Sequence, residues 1–213
     1  MFPFPFSLFS PLAPVPDTIA QVDNVYSMEF DGVNDRISIP TIEIPISSNY
    51  SVSFWFKGND SALNDVMIGG ASGHYFPYLA LTSGNIIVYV RNPSVSRSIL
   101  TDVTYAADTW YHLVISQGVT NTVAYINGVN KGNVTSINGG TSVAINTIAS
   151  YEDGYLNYEF NGFIDEVAFF NTALTGPEVL SIYNATAVVG GVNKTADLSQ
   201  LTTPPVKWYR MGD

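Results

Sequence analysis

The chain has 213 residues and contains no cysteine and only two histidines. Disulfides and thiolate metal sites are therefore excluded. Charge is also scarce, at 12% of residues. Eight Lys and Arg, scattered from Arg36 to Arg210, stand against eighteen Asp and Glu, for a net charge of −10. Such a chain repels phosphate backbones and has no basic cluster to offset the repulsion, which excludes nucleic-acid binding. No apolar run is long enough to span a bilayer. The first 35 residues lack a cationic side chain, and Pro3, Pro5, Pro11, Pro14 and Pro16 would break an apolar helix, so no signal peptide is expected. Neither a G-x-S-x-G elbow nor a glycine-rich phosphate loop occurs.

What the chain does have is apolar substance, at 46% of residues, with abundant Thr, Asn, Ser, Tyr and Val. That composition builds a sizeable core and favours β-structure, and the length suits one all-β domain. Strands are expected at 26–30, 36–40, 50–57, 65–69, 76–82, 85–91, 97–103, 110–117, 121–127, 143–149 and 161–170. In Ser51-Val52-Ser53-Phe54-Trp55-Phe56-Lys57 the apolar Val52, Phe54 and Phe56 alternate with Ser53, Trp55 and Lys57. Ser83-Gly84-Asn85 and Asn127-Gly128 stand between apolar runs, as hairpin turns do. Thr175-Gly176-Pro177-Glu178 has the form of a capping box, which predicts one short helix near 175–184.

Three parts follow. Residues 1–24 form an extended arm in which Phe2, Phe4, Phe6 and Phe9 alternate with Pro or Ser. Four exposed phenylalanines would be an aggregation liability, so the arm is expected to dock on its own domain or on a neighbouring subunit. Residues 25–184 form the main domain. Residues 185–213 contain linker-like pieces and a closing segment, Val206–Asp213, that alternates as a strand would.

The stretch Glu29-Phe30-Asp31-Gly32-Val33-Asn34-Asp35 gathers carboxylates and an amide around a glycine. It reads either as a turn, with Asp side chains accepting from local N–H groups, or as part of a hard-cation site. His112 lies in an alternating strand beside Trp110 and Val114, where a structural role is expected. His74 has no obvious partner. Asp165 and Glu166 are adjacent, so in a regular strand they point to opposite faces. Two aromatic segments have the composition of a sugar site: His74, Tyr75 and Tyr78 in one, and Tyr151, Asp153 and Tyr155 in the other. The same aromatics would serve equally well at a core edge or an interface.

Four segments in order carry a family resemblance: Ser27–Gly32; Ser51–Lys57; Trp110–Val114 with Ala124–Gly128; and Phe160–Val167. Together they resemble the laminin-G-like modules of the concanavalin A-like lectin/glucanase superfamily over residues 25–184. The resemblance implies a two-sheet antiparallel jelly-roll sandwich. The glucanases of that superfamily carry Glu-x-Asp-x-x-Glu, which is absent here, so no catalytic residue is expected and the protein is read as a non-enzyme. In folds of this kind the first and last strands lie side by side. That implies a calcium site from Asp31, Asn34, Asp35, Asp165 and Glu166. Tyr26–Asp35 and Trp208–Asp213 further resemble laminin-G-like proteins of tailed, notably marine, bacteriophages. On that resemblance the chain would be a virion structural protein, in capsid decoration, a head fibre or a tail. It would be made in the host cytoplasm and displayed on the virion surface, with the arm anchoring it to neighbouring subunits, its own copies in a homo-oligomer, or to other virion proteins. The alternatives are an extracellular glycan-binding adhesin that recognises a cell surface and, last, a glycoside hydrolase.

Overall fold

The computed structural model describes residues 19–44, 48–70, 75–91, 94–136, 142–151, 158–189 and 192–211. Two seven-stranded antiparallel sheets pack face to face. The first runs β12 (Val129–Thr135), β11 (Asn121–Ile126), β10 (Tyr111–Gln117), β4 (Tyr50–Gly58) and β14 (Asn161–Phe170), and the far side of β14 is shared by β2 (Met28–Asp31) and β17 (Lys207–Tyr209). The second runs β3 (Ile37–Ile44), β13 (Val143–Ile148), β6 (Ile68–Gly69), β7 (Tyr75–Thr82), β8 (Asn85–Arg91) and β9 (Ser96–Thr104), with β5 (Asn64–Val66) also on β7. This is the expected jelly-roll class of sandwich.

The alternation read in the sequence sets the core. Val52, Phe54 and Phe56 of β4, Leu113 and Ile115 of β10 and Ile164, Val167 and Phe169 of β14 face Phe76, Leu79, Ile86, Val88, Ile145 and Ile148 of the second sheet. Phe54, Phe56, Phe76 and Phe169 are wholly buried, each stabilising the sandwich by about 2–3 kcal/mol. Both expected hairpins form with two-residue loops whose residues all have positive φ: Ser83 and Gly84 at 52° and 81°, Asn127 and Gly128 at 51° and 78°. That backbone matches the twist of the strands it joins.

The other face of the first sheet is not left to solvent. Helix α1 (Gly176–Asn184) and a small sheet of β1 (Gln21–Asp23), β16 (Val192–Ala196) and β15 (Ala187–Val189) form a third layer. Val179 and Ile182 of the helix bury a second apolar cluster with Val114, Ala168, Phe170 and Leu198. Serines on this face tie down the chain that enters the helix. Ser51 Oγ donates to the Thr172 carbonyl at 2.8 Å and accepts from the Leu174 amide at 2.9 Å, and Ser116 Oγ donates to the Leu174 carbonyl at 2.8 Å. At the helix start, Glu178 Oε2 accepts from both the amide and the hydroxyl of Thr175, each at 2.7 Å. The segment expected to be partly linker thus supplies β15, β16 and β17, and the root of the arm pairs with β16.

The closing strand ends on β14 itself. β14 pairs with β2 through residues 161–164 and with β17 through residues 167–169. Between them a bulge slips the register against β4 at residues 165–168, and Glu166 takes a φ of 53°. The bulge overturns the expected alternation of Asp165 and Glu166, because an inserted residue shifts the side chains that follow it. The buried Glu166 carboxylate accepts from Trp208 Nε1 and, at 3.3 Å, from Arg210 Nε. Arg210 also donates to the Asp23 carbonyl, joining the small sheet to this point. Glu166→Ala should lower unfolding free energy by roughly 2–3 kcal/mol, because it strips two donors of a charged acceptor. Glu166→Gln, which keeps an acceptor for Trp208, should cost less. Urea denaturation reads both, and a loss below about 0.5 kcal/mol for the alanine variant, the level of an ordinary surface change, would refute this role.

Candidate functional site

The acidic turn that follows β2 is built by its own backbone bonds. Asp31 Oδ1 accepts from the Val33 amide at 2.8 Å and the Asn34 amide at 3.3 Å, and Asp35 Oδ2 accepts from the Asp31 amide at 3.1 Å. The Val33 N–H bond leads in holding the Asp31 carboxyl below its ordinary value. Gly32 is required at a φ of 72°, and a Cβ there would lie 2.7 Å from Asn161 Cβ. The register fixes the distance to the other carboxylates. Asp31 sits opposite Asn161, whereas Asp165 lies four residues farther along β14, about 13 Å away. Two ligands of one calcium ion lie within about 5 Å of each other. The set Asp31, Asn34, Asp35, Asp165 and Glu166 is therefore not brought together, and Glu166 is committed to Arg210 and Trp208. Among the described residues no group of three His, Cys, Asp or Glu is arranged to hold a metal ion.

The aromatic residues behave differently. Tyr75, Tyr78 and Tyr151, expected from two separate segments, converge on the outer face of the second sheet. Ring centroids are 5.5 Å apart for Tyr75–Tyr78 and 6.2 Å for Tyr75–Tyr151. Two further tyrosines complete the group: Tyr89 lies 5.3 Å from Tyr78, and Tyr158 lies 5.9 Å from Tyr78 and 6.0 Å from Tyr151. The register explains the convergence. Tyr89 of β8 is directly opposite Tyr78 of β7 and Arg91 is opposite Tyr75, while Val88 and Val90 turn to the core. Nothing in the local sequence of Tyr89 or Tyr158 announces this; only the outward phase of β8 could have suggested Tyr89. The Tyr78 hydroxyl donates to Asn64 Oδ1. Burial, reinforced by the neighbouring rings, pushes the Tyr78 hydroxyl up to about 12, so it stays protonated at neutral pH. Five half-buried or buried rings, hydroxyls that can donate or accept, the Asn64 amide and the exposed Arg91 guanidinium make an amphipathic platform. His74, Asp153 and Tyr155 of the same expectation, and Phe2, Phe4, Phe6 and Phe9 of the arm, lie outside the described residues.

His112 does not form a catalytic base. Its Nε2 is 2.9 Å from Ser53 Oγ, but among the described residues its Nδ1 has no partner. The ring packs against Trp55 at 4.9 Å and Tyr183 at 6.2 Å, which are themselves 5.8 Å apart. Burial lowers its pKa to about 3, far below the range of a useful base at neutral pH, and the imidazole serves as a buried spacer under α1.

The sequence profile of the concanavalin A-like lectin/glucanases superfamily, in its laminin-G form, matches residues 31–180. The chain belongs to this superfamily. No curated protein matches the sequence. Solved structures share the fold. The heptameric SAP-like pentraxin of Limulus polyphemus aligns with a TM-score of 0.58 and 16% identity, over 73% of this chain and 80% of the pentraxin. Domain 4 of AbnA, an extracellular arabinanase of Geobacillus stearothermophilus solved with arabinotriose, aligns with a TM-score of 0.52 and 23% identity, over 77% of this chain and 80% of the domain. A Bacteroides ovatus protein described as carbohydrate-binding aligns with a TM-score of 0.61 and 14% identity, over 93% of this chain and 53% of its own.

One carboxylate beside the platform of this lectin-like module is strongly perturbed. Asp65, on the strand that pairs with β7 next to Tyr78, is raised to about 6, chiefly by burial and then by the charges of Asp60 and Glu159. In the unfolded chain it titrates near 4. The folded state therefore favours the protonated acid, and stability is lost as pH rises from about 4 through 6. Asp65→Asn should melt higher than the parent protein at pH 7, with the difference closing below pH 4. Equal melting temperatures at pH 7 would refute the assignment.

Proposed function

We propose that this module is a non-enzymatic glycan-binding protein whose platform is the tyrosine face of the second sheet. The observation that carries the reading is the convergence of Tyr75, Tyr78, Tyr89, Tyr151 and Tyr158 into one set of touching rings. Saccharides offer apolar C–H faces edged by hydroxyls. Tyrosine meets both demands, with a ring for the face and a phenolic oxygen for the edge, at little cost in side-chain entropy. Asn64 and Arg91 add directional polar groups beside the rings. Arabinotriose bound to a domain of the same fold is in keeping with this use of the scaffold. The absence of Glu-x-Asp-x-x-Glu and the low pKa of His112 favour binding over hydrolysis.

Virion assembly through the arm remains the second proposal. Its favourable observation is that residues 21–23 are paired with β16, which gives the preceding residues a fixed point of departure on the outer layer. Deleting residues 2–16 should then leave a folded domain that no longer assembles, as read by light scattering; unchanged assembly would refute that role.

A glycan array with the purified protein tests the main proposal. Binding should be retained by the parent chain and fall at least tenfold in Tyr78→Ala and Tyr151→Ala, with melting temperatures showing that both variants are folded. No bound glycan, or equal binding by both variants, would overturn it.

A further inference from the structure

The third layer does not cover the whole outer face of the first sheet. Where it stops, a cleft of about 420 Å³ opens on the side of the molecule opposite the tyrosine face. The size falls within the range of small-molecule sites. Trp55, Lys57, Trp110, Phe163 and Asp165 line it, and Tyr26, 63% exposed, stands at its rim. The register builds the floor: Lys57 lies opposite Phe163, and Trp55 lies opposite Asp165. Lys57 Nζ sits 4.3 Å from the Phe163 ring centre and 5.6 Å from that of Trp110. Among the described residues it has no ion pair and no side-chain hydrogen bond. Asp165 is 4% exposed, with its Oδ1 accepting from the Glu166 amide at 2.8 Å. Trp55 is backed by the His112 and Tyr183 rings, so the floor is preformed.

The lining discriminates among ligand classes. A cation is disfavoured because two ammonium groups, those of Lys57 and Lys194, already stand in the lining. An anion finds Lys194 already paired with Asp23, and meets the Asp165 carboxylate in the floor and the −10 charge of the whole chain. A wholly apolar ligand would cover the Lys57 ammonium without giving it a hydrogen-bond partner, which is costly. What fits is a neutral molecule with apolar ring faces and several hydroxyls. We infer that the cleft is a second saccharide site, for a neutral sugar ring that packs on Trp55 and Trp110, accepts from Lys57 and donates to Asp165. This rests on the reading of the module as a glycan binder. It makes the module bivalent, with sites on opposite outer faces, able to bridge two glycan chains.

The chain has three tryptophans; Trp55 and Trp110 line the cleft, and none belongs to the tyrosine face. Tryptophan emission therefore reports on the cleft. Titration with neutral trisaccharides (arabinotriose and cellotriose as probes) should give a saturable change in emission, whereas trigalacturonate should bind at least tenfold more weakly. Lys57→Met should weaken the neutral response tenfold or more and leave the melting temperature unchanged. Trp110→Ala should abolish it, and Tyr78→Ala should leave it intact. No response to either neutral probe, an equal response in Lys57→Met, or tighter binding of the uronate would overturn the inference. Array binding that depends on Tyr78 while tryptophan emission stays flat would overturn this inference alone. A saturable emission change in a protein whose array binding ignores Tyr78 would overturn the tyrosine platform and uphold the cleft.

Discussion

The bulge in β14 is the point at which three parts of the molecule are joined. On one side β14 runs along β4 at the centre of the first sheet; on the other it is handed from β2 to β17. A strand cannot change neighbours without leaving some backbone and side chains out of step, and the slip at residues 165–168 absorbs that mismatch. The cost is local. Glu166 adopts a left-handed backbone, a conformation that costs about 1 kcal/mol or more for a residue with a Cβ, and its carboxylate is buried. The offset is also local, because Trp208 and Arg210 donate to that carboxylate and Arg210 reaches on to Asp23. Both ends of the described chain are thereby fastened to β14.

The third layer depends on the same arrangement. Its apolar contacts are few beside those of the sandwich: Val179 and Ile182 from the helix, Ala196 and Leu198 from the C-terminal segment, against Val114, Ala168 and Phe170. Polar bonds fix where it lies. Ser51 and Ser116 hold the approach to the helix by the Thr172 and Leu174 backbone, and Arg210 holds the small sheet. Serine at the outward positions of β4 and β10 is thus a docking device, since an exposed strand face would need no buried hydroxyls with fixed partners.

Much of this fold was legible in the sequence because its signals are local. Turn glycines at 84 and 128, the Thr175–Glu178 pair and the alternation of Val52, Phe54 and Phe56 each follow from a few neighbouring residues. β12 was not legible, because Val129–Thr135 carries no apolar alternation and pairs as an outer strand with β11 only among the described strands. The site was only half legible for the same reason. Composition singled out Tyr75, Tyr78 and Tyr151, but Tyr89 joins them through the register of β7 with β8, and Tyr158 through a close approach across the fold. The calcium expectation had the right strand neighbours and the wrong offset. β2 does lie beside β14, yet pairing Asp31 with Asn161 instead of Asp165 separates the carboxylates. Composition points to chemistry, but register decides which groups meet.

Strand β4 shows how cover and opening are graded on one face. Its outward residues run Ser51, Ser53, Trp55, Lys57. The serines are 0% and 2% exposed beneath the helix and its approach, Trp55 is stacked on His112 at the margin, and Lys57 stands over Phe163 in the cleft. The change from hydroxyl to indole to ammonium follows the boundary of the third layer. A small hydroxyl suits a place where backbone must approach closely, whereas large rings and a long cation suit a place where no backbone covers the sheet. If that end of β4 were simply a solvated surface, a tryptophan, a phenylalanine and a second tryptophan gathered around one lysine would expose apolar area with no return. Their grouping at the edge of the cap, with the buried aspartate of the bulge beside them, is instead what a preformed binding floor requires. The bulge therefore governs more than closure of the sandwich: by fixing Asp165 and, through Glu166 and Arg210, the margin of the small sheet, it sets the shape of that floor.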